Sequence, residues 1–418
     1  MERTGTDRFA PRPSSDPQAP ALQSWPLLLV AFTILTVAFS WVFSVPVFYG
    51  GFIRKFGWTH AEAVAGGSIV LLLIGLLGPL VGRAADRFSP KAVVLVGLTV
   101  SAGALALLST TTNLAEFLSY CVLLGIGSAS VSLVPCSMLI APWFARSRGL
   151  AVGVINSGVG LGGLFAPNLT RAMIERRGAS GAFLALAASV SVPFLLTLLL
   201  VRRQTPHSTQ AAPPSAIAFA KTPIFWMLGV GLFFAAHTLT GVQQSLILYL
   251  TGQGVAAAAA TLAYSVLLGA SAPGKLLGGL LSDRFSARVS LLASILCLVA
   301  GITGLLLSDP KAALILVIAG IFGLGYGGVF NAPSIIAFES VGTQGVGTIL
   351  GLFMMFFGLG TSSGGLLAGA IYDQTHRYAV SFSVDLASCA VGFVLLFAAG
   401  WMREFRPAPL AAALRKTA

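Results

Sequence analysis

The chain has 418 residues, 56% of them hydrophobic and only 9% charged, with a mean hydropathy of +0.89. A soluble domain is about 25% charged, so this chain cannot clothe a water-facing surface, and lipid must be its main solvent. The net charge of +12 does not argue for nucleic acid: membrane proteins collect Lys and Arg in cytoplasmic loops, and no basic stripe here is interleaved with aromatics.

The chain opens on 24 polar, proline-rich residues with no short apolar region ahead of a small-residue cleavage site, so no signal peptide is expected there. A spanning helix needs about 20 apolar residues. By that ruler the first six predicted spans are Leu27–Gly50, Ala61–Val81, Ala92–Ser109, Ala115–Ile140, Gly149–Ile174 and Ala182–Val201. A polar linker with Pro206, Pro213 and Pro214 follows over 202–222. Six more spans come after it: Pro223–Leu250, Ala259–Leu281, Val289–Leu307, Ala312–Phe338, Val346–Tyr372 and Ala379–Met402. The expected architecture is an all-α membrane protein of twelve transmembrane helices. It divides into a tail (1–24), an N-terminal six-helix half (25–201), the linker (202–222), a C-terminal six-helix half (223–402) and a second tail (403–418). Cys121, Cys136, Cys297 and Cys389 all fall inside apolar segments without C-x-x-C spacing, which fits buried thiols rather than disulfides or a metal site.

If the N-terminus is cytoplasmic, 17 of the 25 Lys and Arg fall in cytoplasmic segments and seven in outer ones. That bias predicts both termini inside. Lys275 is the remaining one; it stands within the eighth span.

The halves repeat in parallel. Gly82-x-x-x-Asp86-Arg87-Phe88-Ser89 recurs as Gly279-x-x-x-Asp283-Arg284-Phe285-Ser286, and Leu124-Gly125-Ile126-Gly127 recurs as Phe322-Gly323-Leu324-Gly325, at offsets of 197 and 198 residues. A parallel repeat of six-helix halves suits a rocking transporter with its site at the midplane between them.

The doubled Gly-x-x-x-Asp-Arg loop, placed after the second span of each half, resembles the signature loop of the major facilitator superfamily. A closer resemblance is to the monocarboxylate-porter and oxalate–formate exchanger branch. It is carried by Phe39-Ser40-Trp41, by Phe56-Gly57-Trp58-Thr59, by the run from Trp143 to Ala151 (W-F-A-R-S-R-G-L-A), and by G-V-I-N-S-G-V-G-L-G-G in the fifth span. Proton-driven drug exporters usually carry Gly-Pro in the fifth span. Here Gly158-Val159-Gly160 stands instead, with Pro167 later, which lowers that reading. The branch places a substrate-binding arginine four residues before the second signature glycine, and that position is Lys275. Lysine offers a point charge where arginine would clamp a carboxylate bidentately. Proton-coupled relatives often carry an acid one turn earlier, where this chain has Ser271, and a lysine in the first span, where Ser44-Val45-Pro46 has none.

Lys275 lies eight residues, about 12 Å, before Asp283, too deep for easy snorkelling. A buried cation there costs at least about 2.5–3.5 kcal/mol, so it reads either as paired with backbone and neighbouring helices or as the anchor of an anionic substrate. The second reading is favoured because its repeat twin is Gly78. His237, at mid-span, fits substrate binding or proton relay as well as a plain interhelical hydrogen bond. Gln243, Tyr326, Phe330, Asn331, Asn156 and Tyr120 are further substrate-binding candidates; each alone also reads as a packing or interhelical hydrogen-bonding residue. Phe39, Trp41 and Phe43 are possible walls. Gly82, Asp86, Arg87, Gly279, Asp283 and Arg284 are assigned to gating and conformational balance. Asp385 is expected near the outer interface.

No nucleophile–base set, metal-ligand cluster or phosphate loop is visible, so no enzyme activity, cofactor or metal is expected. The expected function is secondary transport of a small organic anion, a monocarboxylate, by alternating access, with proton coupling and exchange both open. The alternative is efflux of a neutral or amphipathic compound. The expected setting is the plasma membrane (a bacterial inner membrane), as a multi-pass monomer whose partners are the anion, protons and lipid, without nucleic acid.

Overall fold

The computed structural model describes residues 19–140, 148–201, 219–309, 313–341 and 346–401. Among these every regular element is helical: α1 (Ala19–Phe56), α2 (His60–Arg87), α3 (Pro90–Leu108), α4 (Leu114–Ser130), α5 (Leu133–Ile140), α6 (Arg148–Ser189), α7 (Ser191–Leu200), α8 (Pro223–Gly252), α9 (Ala257–Arg284), α10 (Ala287–Leu307), α11 (Leu314–Val341), α12 (Val346–Thr375) and α13 (Tyr378–Trp401). Most of the linker and both tails lie outside the described residues.

Local chemistry sets the helix starts. Thr59 caps α2 in a capping box with Glu62, Asn113 caps α4, and Thr222 followed by Pro223 opens α8. Each Thr or Asn side-chain oxygen takes up an amide N–H that the first turn leaves unpaired. The doubled motif gains a structural meaning here. Its last two residues end one helix and begin the next: Phe88 and Phe285 follow α2 and α9, and the Ser89 and Ser286 hydroxyls accept from Ala92 N and Val289 N to cap α3 and α10.

Eleven runs are long and apolar enough to cross a membrane, against the twelve expected. The difference lies at Val154–Leu200, a 47-residue run of about 70 Å as a straight helix, more than twice a hydrocarbon core. It is not straight. Gly178 takes φ 72°, a backbone open to glycine at little cost. Before it, α6 follows α1, with Ser44 Oγ 2.8 Å from Thr170 Oγ1. After it, Phe183 stacks on Phe48 at 4.0 Å, and α7 ends where the Lys91 ammonium, at the start of α3, donates to the carbonyls of Leu198 and Val201. The fourth expected span is likewise two helices, α4 and α5, broken at Val131–Ser132.

Packing repeats between halves. α1 lies on α6 as α8 lies on α12; α2 and α3 lie on α4 as α9 and α10 lie on α11. The seam between halves is made by α2 against α12 and α6 against α9, with α1 touching α8. Glycine brings these backbones together: a Cβ on Gly75 would lie 2.5 Å from Gly358 Cα. Such approach is what small residues supply where no hydrophobic effect drives helix association.

Candidate functional site

Lys275 sits in the C-terminal half on α9, nine residues short of the helix end at Arg284, about 14 Å at 1.5 Å per residue. The face beside it is pressed onto α11. A Cβ on Gly274 would lie 2.3 Å from Leu324 O, and one on Gly327 would lie 2.1 Å from Ser271 O. Asn331 Nδ2 donates to the Lys275 carbonyl at 3.1 Å, tying α11 to α9 beside the lysine. Lys275 is 7% exposed. Its ammonium stands 4.6 Å from the centre of the Phe330 ring, and no carboxylate of the described residues is within ion-pair distance of it. A desolvated cation over an aromatic face gains about 2 kcal/mol. That offsets part of its desolvation and leaves its positive charge unneutralised.

From Phe330 the site continues along α11. The Tyr326 ring stacks on Phe330 at 6.3 Å, the Tyr326 hydroxyl donates to Gln243 Oε1 at 3.2 Å, and Gln243 Nε2 donates to the Tyr264 hydroxyl at 3.1 Å. So five of the eight predicted substrate-binding residues, Lys275, Asn331, Phe330, Tyr326 and Gln243, form one connected set on α8, α9 and α11. Phe357 of α12 meets Phe330 edge-on at 5.7 Å.

Asn156 comes from the other half. α6 runs antiparallel to α9, with Gly160 against Ala272, Gly163 against Leu268, and Asn168 Nδ2 donating to Ser265 Oγ at 2.8 Å. One turn back along α6 and one turn forward along α9 put Asn156 level with Leu276, next to Lys275. The Asn156 Oδ1 is buried and has no hydrogen-bond partner, and an orphaned amide oxygen at this depth is costly. Tyr120 is half-buried against the core of the N-terminal half and is not drawn into the set. Trp41 is fully buried and donates to Ser128 Oγ at 3.0 Å, a bond between α1 and α4.

His237 faces elsewhere, toward α12 and α13. Its Nδ1 is 2.8 Å from Ser363 Oγ and its Nε2 is 3.7 Å from Asp385 Oδ1. Asp385, expected near the outer interface, is 2% exposed. Its burial follows from Gly241 on α8, where any Cβ would overlap the carboxylate at 2.2 Å.

Every hydrogen bond between the halves, among the described residues, lies in the half of the bundle away from the chain termini. The Tyr49 hydroxyl donates to Gln244 Oε1, in a space left by Gly67 of α2 and Gly365 of α12. Asn168 meets Ser265, as above. At the far end Asp373 accepts from the backbone amides of His60 and Ala61 at 2.8 and 2.9 Å, capping α2 from the opposite half. These latches were not predicted from the sequence.

Of the gating candidates, Arg87 and Arg284 are exposed, and the Arg87 guanidinium lies over Phe88 at 5.6 Å. The side chains of Asp86 and Asp283 lie outside the described residues. A Cβ on Gly82 would meet only Val134 at 3.8 Å, and one on Gly279 would meet nothing within 4 Å. Neither glycine is required by packing in this conformation.

The sequence profile of the Major Facilitator Superfamily matches residues 28–365 and, in a second match, 254–417. The chain belongs to the Major Facilitator Superfamily. It is a multi-pass membrane transporter of that superfamily. It is 27% identical over 387 residues to the MFS transporter asaE of Aspergillus flavus, covering 88% of this chain and 86% of that protein. It is 28% identical over 296 residues to an agnestins efflux protein of Paecilomyces divaricatus, covering 69% and 67%. Its fold matches that of a bacterial homologue of the human lysosomal transporter Spinster, inward-facing and unoccupied, with a TM-score of 0.74 at 18% identity, over 93% of this chain and 99% of that one. The superfamily's doubled loop is thus accounted for, while the superfamily alone does not fix the cargo.

Proposed function

We propose that this protein is a secondary transporter of small organic anions, monocarboxylates foremost, and that Lys275 is the substrate's counter-charge. The observation that carries this reading is the buried ammonium over the Phe330 ring without a carboxylate partner among the described residues. A substrate carboxylate completes the ion pair, and Phe330 and Tyr326 offer flat apolar faces to the substrate's body. Asn156, level with the lysine on the facing half, supports a site shared by both halves, as alternating access needs. In this reading Val154–Leu200 crosses twice, giving twelve crossings with both termini cytoplasmic in the plasma membrane. The latched end is then the outer one, and the described conformation is closed to the outside.

A second reading is supported by two relatives whose names are efflux proteins, for agnestins and for fujikurins. In it the cargo is a larger amphipathic compound moved outward, held by the aromatic set more than by charge.

Uptake into proteoliposomes of radiolabelled lactate and benzoate tests the first reading. Wild-type protein is expected to take up at least one of the two, and Lys275→Gln to lose that uptake at an unchanged amount of reconstituted protein. Equal uptake by the variant contradicts an anion site at Lys275.

A further inference from the structure

The pair His237 and Asp385 is buried in the C-terminal half, apart from the connected set around Lys275. His237 Nδ1 lies 2.8 Å from the Ser363 hydroxyl, which also reaches Gly360 O at 2.9 Å, and Nε2 is the nitrogen turned toward Asp385 Oδ1, 3.7 Å away. The hydroxyl has one proton for two acceptors, so the ring can donate to Ser363 from Nδ1 or accept from it with a hydrogen on Nε2. In either tautomer a neutral ring beside an ionised Asp385 carries one negative charge, which one further proton on the ring or on the carboxyl group removes.

Among the described residues, His237 is the one charged or titratable partner within ion-pair distance of Asp385. α8 contains no Asp, Glu, Lys or Arg; α13 contains no charged residue besides Asp385; α12 contains only Asp373, ten residues beyond Ser363. On α10, which packs on α13, the only charged residue is Arg288 at the helix start. The remaining titratable neighbours are Cys389, one turn along α13 and buried, and Tyr249, whose hydroxyl donates to Leu305 O at 3.0 Å. Asp385 Oδ2 is buried without a hydrogen-bond partner. A permanent carboxylate would be expected to gather donors around both oxygens; this one has a single titratable partner and a free oxygen.

We infer that His237 and Asp385, steadied by Ser363, form a proton-binding site whose occupancy sets the closure of the distal seam. The pair takes one proton from water and holds it on the ring or the carboxyl group, becoming neutral overall. Release returns the proton to water and leaves one negative charge among α8, α12 and α13. The mechanical link is α8. His237 and Gln244 are seven residues apart, about two turns, on one face of that helix, and Gln244 accepts the seam bond from Tyr49 of α1. Repulsion or attraction at His237 shifts α8 against α12 and α13, and that moves Gln244 relative to Tyr49. Three bistable parts, pair, helix and latch, make a switch of the kind histidine supports near neutral pH. This inference rests on the transporter reading and not on the identity of the cargo.

The test uses full-length protein in nanodiscs, with the native cysteines replaced and spin labels on Lys55→Cys and Gln253→Cys, exposed positions at the distal ends of the two halves. Interlabel distances are measured by pulsed electron paramagnetic resonance between about pH 5 and about pH 8, the range in which histidine changes charge. The wild-type distribution is expected to shift between short and long populations across this range. The shift is expected to vanish in Asp385→Asn and in His237→Gln, and to survive in His60→Asn, which removes the imidazole that faces Asp373 across the seam at 3.3 Å. A wild-type distribution that does not move overturns the inference, as does a shift that persists in both pair variants or is abolished by His60→Asn alone. If one pair variant does not purify as a monodisperse protein, the other decides. Because no cargo is added, failure here leaves the anion reading standing, and failure of anion uptake leaves this inference standing.

Discussion

At the scale of single residues, the surroundings of one ammonium decide what this protein can hold. Lys275 was legible in the sequence because a lysine in an apolar helix stands out and its repeat twin is Gly78. Phe330 was legible as a candidate, but its position over the ammonium was not, because helical periodicity gives a face and not the neighbour that covers it. The contact makes a graded prediction. Phe330→Leu removes a cation–π contact of about 0.5–2 kcal/mol, so anion affinity should fall by about 2–30-fold, whereas Phe330→Tyr should keep it near wild type. Equilibrium binding to purified protein reads both. The direction of the effect also discriminates between readings, because a neutral amphipathic cargo should lose affinity to either Lys275→Gln or Phe330→Leu only through lost packing. Asp385 shows the opposite limit of sequence reading. Its place along the twelfth predicted span suggested an acid near the outer interface; that it is also buried among helices could not be read there, because the room is left by Gly241 of a helix 144 residues earlier. The available signal was that His237 and Asp385 are the one histidine and the one acid of their helices.

At the scale of helices, glycine decides how closely elements pack, and the structure separates the glycines into different kinds. Gly327 faces Ser271 O with no room for a Cβ, while Gly78 and Gly279 face open space. Gly327→Leu should therefore lower thermal stability in detergent by about 1–3 kcal/mol, the range for overpacking, with α11 forced from α9 and Lys275 displaced. Gly78→Ala should be near neutral in packing and gain slightly in helix propensity. Gly279→Leu is the informative case. In this conformation it meets nothing, so melting should change little; if the other conformation brings α9 against a neighbour there, transport rate should fall sharply. A melting curve beside an initial-rate measurement separates these outcomes. The doubled Phe-Ser was visible as a repeat, but its role in ending one helix and capping the next needed the backbone. The two crossings expected at Gly149–Ile174 and Ala182–Val201 form one almost continuous helical run, in which Gly178, directly after the charged residues Glu175, Arg176 and Arg177, breaks the helical geometry.

At the scale of the whole molecule, the parallel repeat and the all-helical architecture could be read from composition and spacing, because lipid permits few other ways to satisfy the backbone. The seam could not. Its bonds join residues 97 to 313 apart, and no local pattern marks Tyr49, Gln244 or Asp373 as partners. The seam is a prediction in itself. Tyr49→Phe and Gln244→Leu each remove one hydrogen bond, about 0.5–1.5 kcal/mol, and should shift the balance toward opening at the distal end. The distance between spin labels on Lys55→Cys and Gln253→Cys should then shift toward the long population in either variant, compared with an otherwise wild-type background. Equal distributions would mean that the latch does not hold the seam.

The central claim is that the buried lysine is the counter-charge of an anionic cargo. The most direct measurement is the thermal stability of purified protein across a panel of small carboxylates and, in parallel, apolar amines of matched size, for wild type and Lys275→Gln. Binding to the folded state raises stability in proportion to ligand occupancy. The account predicts that at least one carboxylate raises the melting temperature of wild type, that amines do not, and that the increase disappears in Lys275→Gln while the unliganded variant melts no lower than wild type. Stabilisation by amines with none by carboxylates, or carboxylate stabilisation undiminished in Lys275→Gln, would contradict it.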